Sequence, residues 1–284
     1  MKDLIRLTDL QPGEIYEIFS LADELGAGAY RDFLKGKSVV LFFPNTSIRT
    51  RVTFEKGIYL SGGQSILFPS ETLDKKSSFA RFEDLRDVCG YLNNWADMLI
   101  VRHKEIGLLE KLAGYSEVPV INAMTDSNHP CEILADLYSL SKLRDDFADC
   151  HYLFCGKAGN IGLAWKEASD VLGFELSQCC GAGYEMEGVK AYHDIKEAVK
   201  GKDIICTDSL PADVLGDFKK CQVTEDVMKM ANPGAVLNPC PPFYRGEEVS
   251  ADVMESGYFV GYGFKKNLLA VQQAVMLYCL LHCK

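Results

Sequence analysis

The sequence predicts an α/β fold of two doubly wound parallel-sheet domains joined by helices. Apolar runs of strand length alternate with helical patterns along the whole chain, as in residues 38–43 followed by residues 52–60. The alternation breaks at the charged segment 144–149 and then restarts. Strand–helix alternation in both halves is typical of parallel sheets that are covered by helices on both faces.

The elements of the first half follow from apolar runs and from glycine and proline signals. We expect strands at residues 38–43, 64–68, 96–101 and 118–122. We expect helices at about residues 9–25, from Ser47 to Gly62, and at 81–93, 105–113 and 131–143. Residues 69–80 form a polar loop, and loops of this length often carry function.

The second half repeats the same alternation. We expect strands at residues 150–155, 175–180, 203–206 and 235–237, with helices between them. The last element, at about residues 265–282, is expected to be an amphipathic helix.

Composition excludes several classes of function. The chain has 284 residues, 48% of them hydrophobic, and a net charge of −10, so we expect no nucleic-acid partner. It contains no apolar run of membrane-spanning length, and its first residues lack the apolar core of a signal peptide. The 11 cysteines without a C-x-x-C pair are expected to be buried thiols of a cytoplasmic protein, and we expect no metal site.

The segment after the first strand carries an anion-binding pattern. Ser47, Arg49 and Thr50 are expected in the first turn of the helix that follows a buried strand. The first N–H groups of a helix are unpaired, and its dipole favours negative charge there. Two hydroxyls and a guanidinium beside them suit a phosphate-like dianion.

The same residues also have a structural interpretation. Asn45, Thr46 or Ser47 is expected to cap the helix, and its arginines then lie on the surface. Arg51 precedes Glu55 by four residues, which is the spacing of an ion pair within a helix.

Further polar residues follow other strands of the first half. Arg102 ends the third predicted strand, and His129 follows the fourth. Ligands of open parallel sheets bind beyond the carboxyl ends of the strands. We therefore expect Arg49, Arg102 and His129 to gather at one edge of the sheet.

A glycine-rich turn, Gly156-x-x-Gly159-x-x-Gly162, follows the first strand of the second half. It invites a dinucleotide interpretation, but the spacing is not G-x-G-x-x-G and no acid closes the next strand. A tight turn from strand to helix is sufficient to explain it, and we expect no cofactor.

Taken in order, these motifs resemble those of the aspartate/ornithine carbamoyltransferases. The resemblance rests on Ser47-Ile48-Arg49-Thr50-Arg51, Arg102 and His129-Pro130-Cys131-Glu132, and it extends along essentially the whole chain. It implies a carbamoyl-phosphate-binding domain at residues 1–130 with 268–284, an amine-acceptor-binding domain at 144–264, and a linking helix at 131–143. It also implies a homotrimer with sites near subunit interfaces.

The resemblance assigns roles to individual residues. The implied carbamoyl phosphate ligands are Ser47, Ile48, Arg49, Thr50, Arg102, His129 and Glu132. The implied acceptor ligands are Asn160, Asp208, Ser209, Cys240 and Pro241. Arg102, His129 and Cys240 are the implied catalytic residues, and Lys75 and Lys76 could reach the site of a neighbouring subunit or be solvated surface lysines.

Departures from the family pattern leave the acceptor open. Glu132 stands where the family has glutamine, and it places negative charge beside a dianion. A serine–methionine motif is replaced by Ser209-Leu210-Pro211-Ala212, and residues 265–267 lack the arginine of ornithine enzymes. We therefore expect an ornithine-like acceptor, neither clearly ornithine nor clearly aspartate, whose additional carboxylate could meet Lys157, Lys265 or Lys266.

Three functions follow from these observations. The first is transfer of the carbamoyl group of carbamoyl phosphate to a small amine or amino acid. The second, motivated by Glu132, is a catalytically weak paralogue that binds carbamoyl phosphate or another phosphate. The third, a nucleotide-dependent oxidoreductase, rests only on the glycine-rich turn.

Overall fold

A computed structural model describes residues 2–74 and 83–282 of the chain. The chain divides into two compact units, Met1–Ser139 with Lys266–Lys284, and Leu140–Lys265. Each unit contains a parallel sheet with flanking helices, so the predicted α/β fold is confirmed.

The strands of the first unit are β1 (Ser38–Phe43), β2 (Gln64–Pro69), β3 (Met98–Arg102) and β4 (Val120–Met124). The strands of the second unit are β5 (His151–Cys155), β6 (Glu175–Cys179), β7 (Lys190–Tyr192), β8 (Ile204–Thr207) and β9 (Val236–Pro239). Every pairing among these described strands is parallel, in the orders β2-β1-β3-β4 and β7-β6-β5-β8-β9.

The helices of the first half are α1 (Pro12–Gly26), α2 (Arg49–Leu60), α3 (Leu85–Leu92), α4 (Ile106–Tyr115) and α5 (Pro130–Leu143). Those of the second half are α6 (Asn160–Leu172), α7 (Ile195–Ala198), α8 (Glu225–Met228), α9 (Ala251–Met254) and α10 (Asn267–Leu281). No helix within the described ranges combines the length and the apolar character needed to cross a bilayer.

The prediction that Asn45, Thr46 or Ser47 caps α2 is wrong. The helix begins at Arg49, its N-cap position is Ile48, and no side chain described by the structure bonds to its first turn as a cap. The Ser47 hydroxyl accepts a hydrogen bond from Arg102 instead. The Arg51–Glu55 pair is confirmed, with 2.7 Å between Nε and Oε1.

The prediction that the closing helix is amphipathic is also wrong. Nine of the described residues of α10 are buried, including neighbours that lie on opposite faces of a helix. The helix packs against α1 and α2 within the first unit. Polar anchors fix its register: the Gln273 amide donates to the Gly57 carbonyl at 3.2 Å and to the Ser61 hydroxyl at 2.9 Å.

The core of the second unit contains a cluster of aromatic rings. Tyr152 on β5 lies between Trp165 on α6 and Phe174, with ring centroids 5.5 Å and 4.2 Å away. All ten cysteines among the described residues are buried free thiols, as predicted. Burial raises the pKa of several of these thiols, so they pack as small apolar side chains.

Candidate active site

Three neighbouring strands of the first unit end at the same edge of its sheet. The register pairs Phe42 with Val101 and Arg102 with Met124. The start of α2 therefore follows the carboxyl end of β1, Arg102 is the last residue of β3, and the loop before α5 follows β4. Topology alone brings these segments together, because adjacent parallel strands end side by side.

Arg102 connects two of these segments directly. Its Nη1 donates to the Ser47 hydroxyl and to the Thr50 hydroxyl, each at 3.2 Å. Ser47 and Thr50 are each 4% exposed, and Arg102 is half-buried. One guanidinium group therefore holds two hydroxyl groups at the start of a helix.

The charges around Arg102 are of both signs. Burial, and then the positive charge of Arg49, lowers the pKa of Arg102, whereas the negative charge of Glu132 raises it. Two guanidinium groups are thus within electrostatic range of each other. Like charges near one another are costly unless an anion joins them, so this arrangement favours a bound anion.

The start of α2 contributes backbone groups to the same edge. The Val52 N–H is the first of the helix to bond inside it, to the Ile48 carbonyl at 3.0 Å. The Ile48 side chain is 71% exposed, so its predicted role in an anion site rests on its backbone. The earlier N–H groups carry the positive end of the helix dipole.

His129 lies at the end of a short loop that is fixed by hydrogen bonds. The Thr125 N–H donates to the Asn128 carbonyl at 2.8 Å, and the Asp126 N–H donates to the Lys104 carbonyl at 3.0 Å. His129 is 6% exposed and directly precedes Pro130, the first residue of α5. The histidine is thereby held at the end of β4 beside the segment that follows β3.

The second unit brings three predicted acceptor ligands to one sheet edge. Asn160 follows β5, Asp208 follows β8 and Cys240 follows β9, and these strands are neighbours. The Cys240 N–H donates to the Thr207 carbonyl at 2.9 Å. Asp208 accepts a hydrogen bond from the Ser209 N–H at 2.9 Å, which places Ser209 at this edge as well.

The remaining acceptor candidate, Pro241, adjoins Cys240. The Cys240 thiol lies 3.9 Å from the Pro241 carbonyl oxygen and donates to it. Lys75 and Lys76 lie outside the described residues, so their contribution to a neighbouring site stays a prediction.

Glu248 was missed by sequence reasoning. It is 4% exposed, and its Oε1 accepts a hydrogen bond from the Tyr244 N–H at 2.7 Å. Its pKa is raised to about 7, mainly by burial and further by the negative charges of Glu247 and Asp208. The segment Tyr-Arg-Gly-Glu-Glu reads as a solvated turn, so no sequence signal could have found this carboxyl group.

The glycine-rich turn is explained by packing. A Cβ atom on Gly162 would lie 2.6 Å from the Phe154 ring, so glycine allows α6 to approach β5. The Gln178 amide at the end of β6 donates to the Gly156 carbonyl at 2.8 Å. A glutamine that bonds the turn itself occupies the position where a dinucleotide site needs a ribose-binding acid.

Comparison with known proteins agrees with this architecture. Residues 2–142 match the family model "Aspartate/ornithine carbamoyltransferase, carbamoyl-P binding domain", and residues 148–279 match "Aspartate/ornithine carbamoyltransferase, Asp/Orn binding domain". The chain is 33% identical to an ornithine carbamoyltransferase of Chromobacterium violaceum, over 99% of this chain and 97% of that protein.

Solved structures are similar over the same extent. An ornithine carbamoyltransferase from Thermus thermophilus superposes with a TM-score of 0.90 at 28% identity, covering 99% of both chains. The ornithine carbamoyltransferase from Pyrococcus furiosus gives a TM-score of 0.90 at 28% identity, covering 100% of this chain and 98% of that one.

Proposed function

This chain belongs to the aspartate/ornithine carbamoyltransferase family, a family of enzymes, and from that premise we propose that it transfers the carbamoyl group of carbamoyl phosphate to the amine of a small ornithine-like molecule. The carbamoyltransferase activity follows from the family. The acceptor and the roles of individual residues are our proposal.

The observation that carries the proposal is the contact of Arg102 with Ser47 and Thr50 at the start of α2. In our proposal the phosphate of carbamoyl phosphate binds there, with Arg49 and the α2 backbone, including Ile48, as further donors. Charge-assisted hydrogen bonds of this kind contribute about 1.5–3 kcal/mol each.

His129 and Arg102 then act on the carbamoyl oxygen. The neutral amine attacks the carbonyl carbon, and the oxygen gains negative charge in the tetrahedral intermediate. Donors aimed at that oxygen lower the barrier. The C–O bond to phosphate then breaks, and the leaving phosphate accepts the proton that the amine nitrogen loses. Orientation and electrostatics supply the catalysis, and no side-chain nucleophile takes part.

Asp208, Asn160 and the loop that begins with Cys240 and Pro241 form our proposed acceptor subsite, with Ser209 beside Asp208. Asp208 suits an ammonium group on the acceptor, as in an amino acid or a diamine. A carboxylate on the acceptor would be met by a lysine, for which Lys157 at the turn after β5 is our candidate.

Glu132 supports a second candidate, a paralogue that binds carbamoyl phosphate and turns over slowly. It is 6% exposed, and its negative charge acts on Arg102. This carboxylate partly neutralises the positive charge of Arg102 that would otherwise attract the ligand.

The test is release of phosphate from carbamoyl phosphate in the presence of single amines, with the carbamoylated product identified by mass spectrometry. The panel contains ornithine, lysine, aspartate, a diamine and N-acylated ornithine. We expect turnover with an amine that carries a second ammonium group and none with aspartate. Product from ornithine alone would overturn the expectation of an ornithine-like acceptor other than ornithine. Binding of carbamoyl phosphate without turnover of any amine would favour the paralogue.

We further propose a cytoplasmic homotrimer built on the first unit. Ile48 at the N-cap of α2 and three residues of the helix, Val52, Tyr59 and Leu60, are between 50% and 77% exposed. Exposed apolar surface of this kind marks association. Buried free thiols suit a reducing compartment. Light scattering should give three times the mass of the chain, and Val52→Lys should lower it, whereas Tyr244→Lys in the second unit should not.

A further inference from the structure

A second cluster of reactive side chains lies at the outer edge of the sheet of the second unit. Cys180 directly follows β6, His193 directly follows β7, and Glu185 lies in the segment between them. One donor atom of each residue lies within 4.8 Å of the other two. Within residues 2–74 and 83–282 this is the one group of three potential metal ligands at such separations.

The histidine is oriented for coordination. Its Nδ1 lies 2.9 Å from the Cys180 carbonyl oxygen, and because a carbonyl only accepts, Nδ1 must carry the hydrogen. The lone pair of Nε2 then faces Glu185, with 3.7 Å to Oε1. Metal-binding histidines typically donate their other N–H to a carbonyl or carboxylate in this way.

The backbone holds the other two ligands in place. The Cys180 N–H donates to the Tyr192 carbonyl at 3.0 Å, which joins the ends of the two strands. The Gly183 N–H donates to both carboxylate oxygens of Glu185, at 3.1 and 2.9 Å. Two lone-pair donors, the imidazole Nε2 and the carboxylate, are therefore held close together and need a cation or a proton between them.

The ligand types select the class of metal. Zn²⁺ binds sulfur at about 2.3 Å, and nitrogen or oxygen at about 2.0–2.2 Å, which sets tetrahedral ligands roughly 3.5 Å apart. The donor atoms of the three residues would therefore need to approach one another by only about 1 Å to hold such an ion. A thiolate and an imidazole favour Zn²⁺ and similar ions over Mg²⁺ or Ca²⁺, which prefer oxygen ligands.

We propose that Cys180, Glu185 and His193 form a binding site for one divalent transition-metal ion of the Zn²⁺ class, with Cys180 Sγ, a Glu185 oxygen and His193 Nε2 as ligands and water in the fourth position. The thiol releases its proton to solvent on binding, so one proton leaves for each ion bound. The ion joins β6 to β7 and fixes the segment between them.

The site is independent of the proposed carbamoyl transfer, and its test needs no activity. Chelator-treated protein is titrated with Co²⁺, whose bond to a thiolate gives a near-ultraviolet charge-transfer band, and Zn²⁺ is then added in competition. We expect one Co²⁺ per chain, the sulfur band, and full displacement by Zn²⁺. Binding without the sulfur band, or no binding, overturns the proposal.

Variants assign the ligands. Cys180→Ser should abolish the band, and His193→Gln should weaken Co²⁺ binding by more than about 100-fold, beyond the 10–100-fold range of outer-shell changes. His193 lies at the surface, so His193→Gln remains a valid test even if Cys180→Ser, at a buried position, impairs folding. His151→Gln is the matched control, because His151 also lies near two carboxylates, Glu175 at 3.4 Å and Asp203 at 3.5 Å. Equal effects of His151→Gln and His193→Gln would refute the assignment.

Discussion

Replacement of Arg102 by methionine separates a ligand-binding arginine from a structural one. Methionine keeps an unbranched side chain and removes the charge and both hydroxyl contacts, each 3.2 Å long. Loss of one charge-assisted bond to a dianion costs about 1.5–3 kcal/mol. Since about 1.4 kcal/mol is a factor of ten, carbamoyl phosphate should bind roughly 10–100-fold more weakly.

The same change should leave the fold intact. Burial and Arg49 disfavour the charge of Arg102 in the folded protein, whereas Glu132 favours it. Removal of the charge therefore relieves one repulsion, loses one attraction and takes a donor from two hydroxyls. These effects oppose each other, and the free energy of unfolding should change by less than about 1 kcal/mol.

Isothermal titration calorimetry with carbamoyl phosphate, and separately with inorganic phosphate, measures the affinity, and urea unfolding measures stability. Arg51→Met is the matched control, because Arg51 lies on α2, whose start Arg102 contacts, and pairs with Glu55. An affinity within threefold of wild type for Arg102→Met, or an equal loss in Arg51→Met, would refute the proposed role of Arg102.

Three further predictions concern charge and packing. Glu132→Gln removes a negative charge beside the proposed phosphate site. Calorimetry should show that inorganic phosphate binds more tightly by roughly 1 kcal/mol, about fivefold, and weaker binding would contradict this. The raised pKa of Glu248 means that the folded protein binds the proton more tightly than the unfolded chain, so stability falls as pH rises from about 4.5 to about 7. Glu248→Gln should remove that fall in stability, worth at most roughly 3 kcal/mol. Urea unfolding of both proteins at pH 5 and pH 8 measures it, and an equal fall in the wild type and the variant would contradict the prediction. Gly162→Ala should destabilise by about 1–3 kcal/mol, because its Cβ would meet Phe154 at 2.6 Å; Gly159→Ala, with 3.7 Å to its nearest neighbour, is the control and should be neutral in the same assay.

The strands that sequence reasoning predicted best are those with continuous apolar runs. Strand β1 has the predicted bounds, Ser38–Phe43. Strand β3 begins two residues later than predicted, because the Asp97 carboxylate accepts hydrogen bonds from the Ser38 N–H at 2.8 Å and from Lys37 at 3.1 Å. Strand β7 was missed, because Lys-Ala-Tyr at the edge of a sheet has no apolar run to identify it.

That the segments carrying Arg49, Arg102 and His129 follow neighbouring strands to one sheet edge was predictable, because it depends on topology. Parallel strands that are neighbours present their carboxyl ends together, whatever their side chains do. The donation from Arg102 to two hydroxyls was not predictable, since it requires side-chain directions. Sequence order therefore identified the edge, and the structure supplied the contacts.

The proposed acceptor subsite was harder to predict from the sequence, because its charge depends on burial and not only on position along a strand. Glu248 belongs to a turn that reads as exposed, yet it is buried close enough to Asp208 to be affected by that charge. With a pKa of about 7, it is mostly protonated below neutral pH and mostly ionised above it. If our proposed acceptor subsite is correct, a cationic acceptor would meet mainly the charge of Asp208 on the acid side and the charges of both carboxylates on the basic side. Acceptor preference should therefore be measured on both sides of neutrality, because one pH samples only one charge state of this subsite.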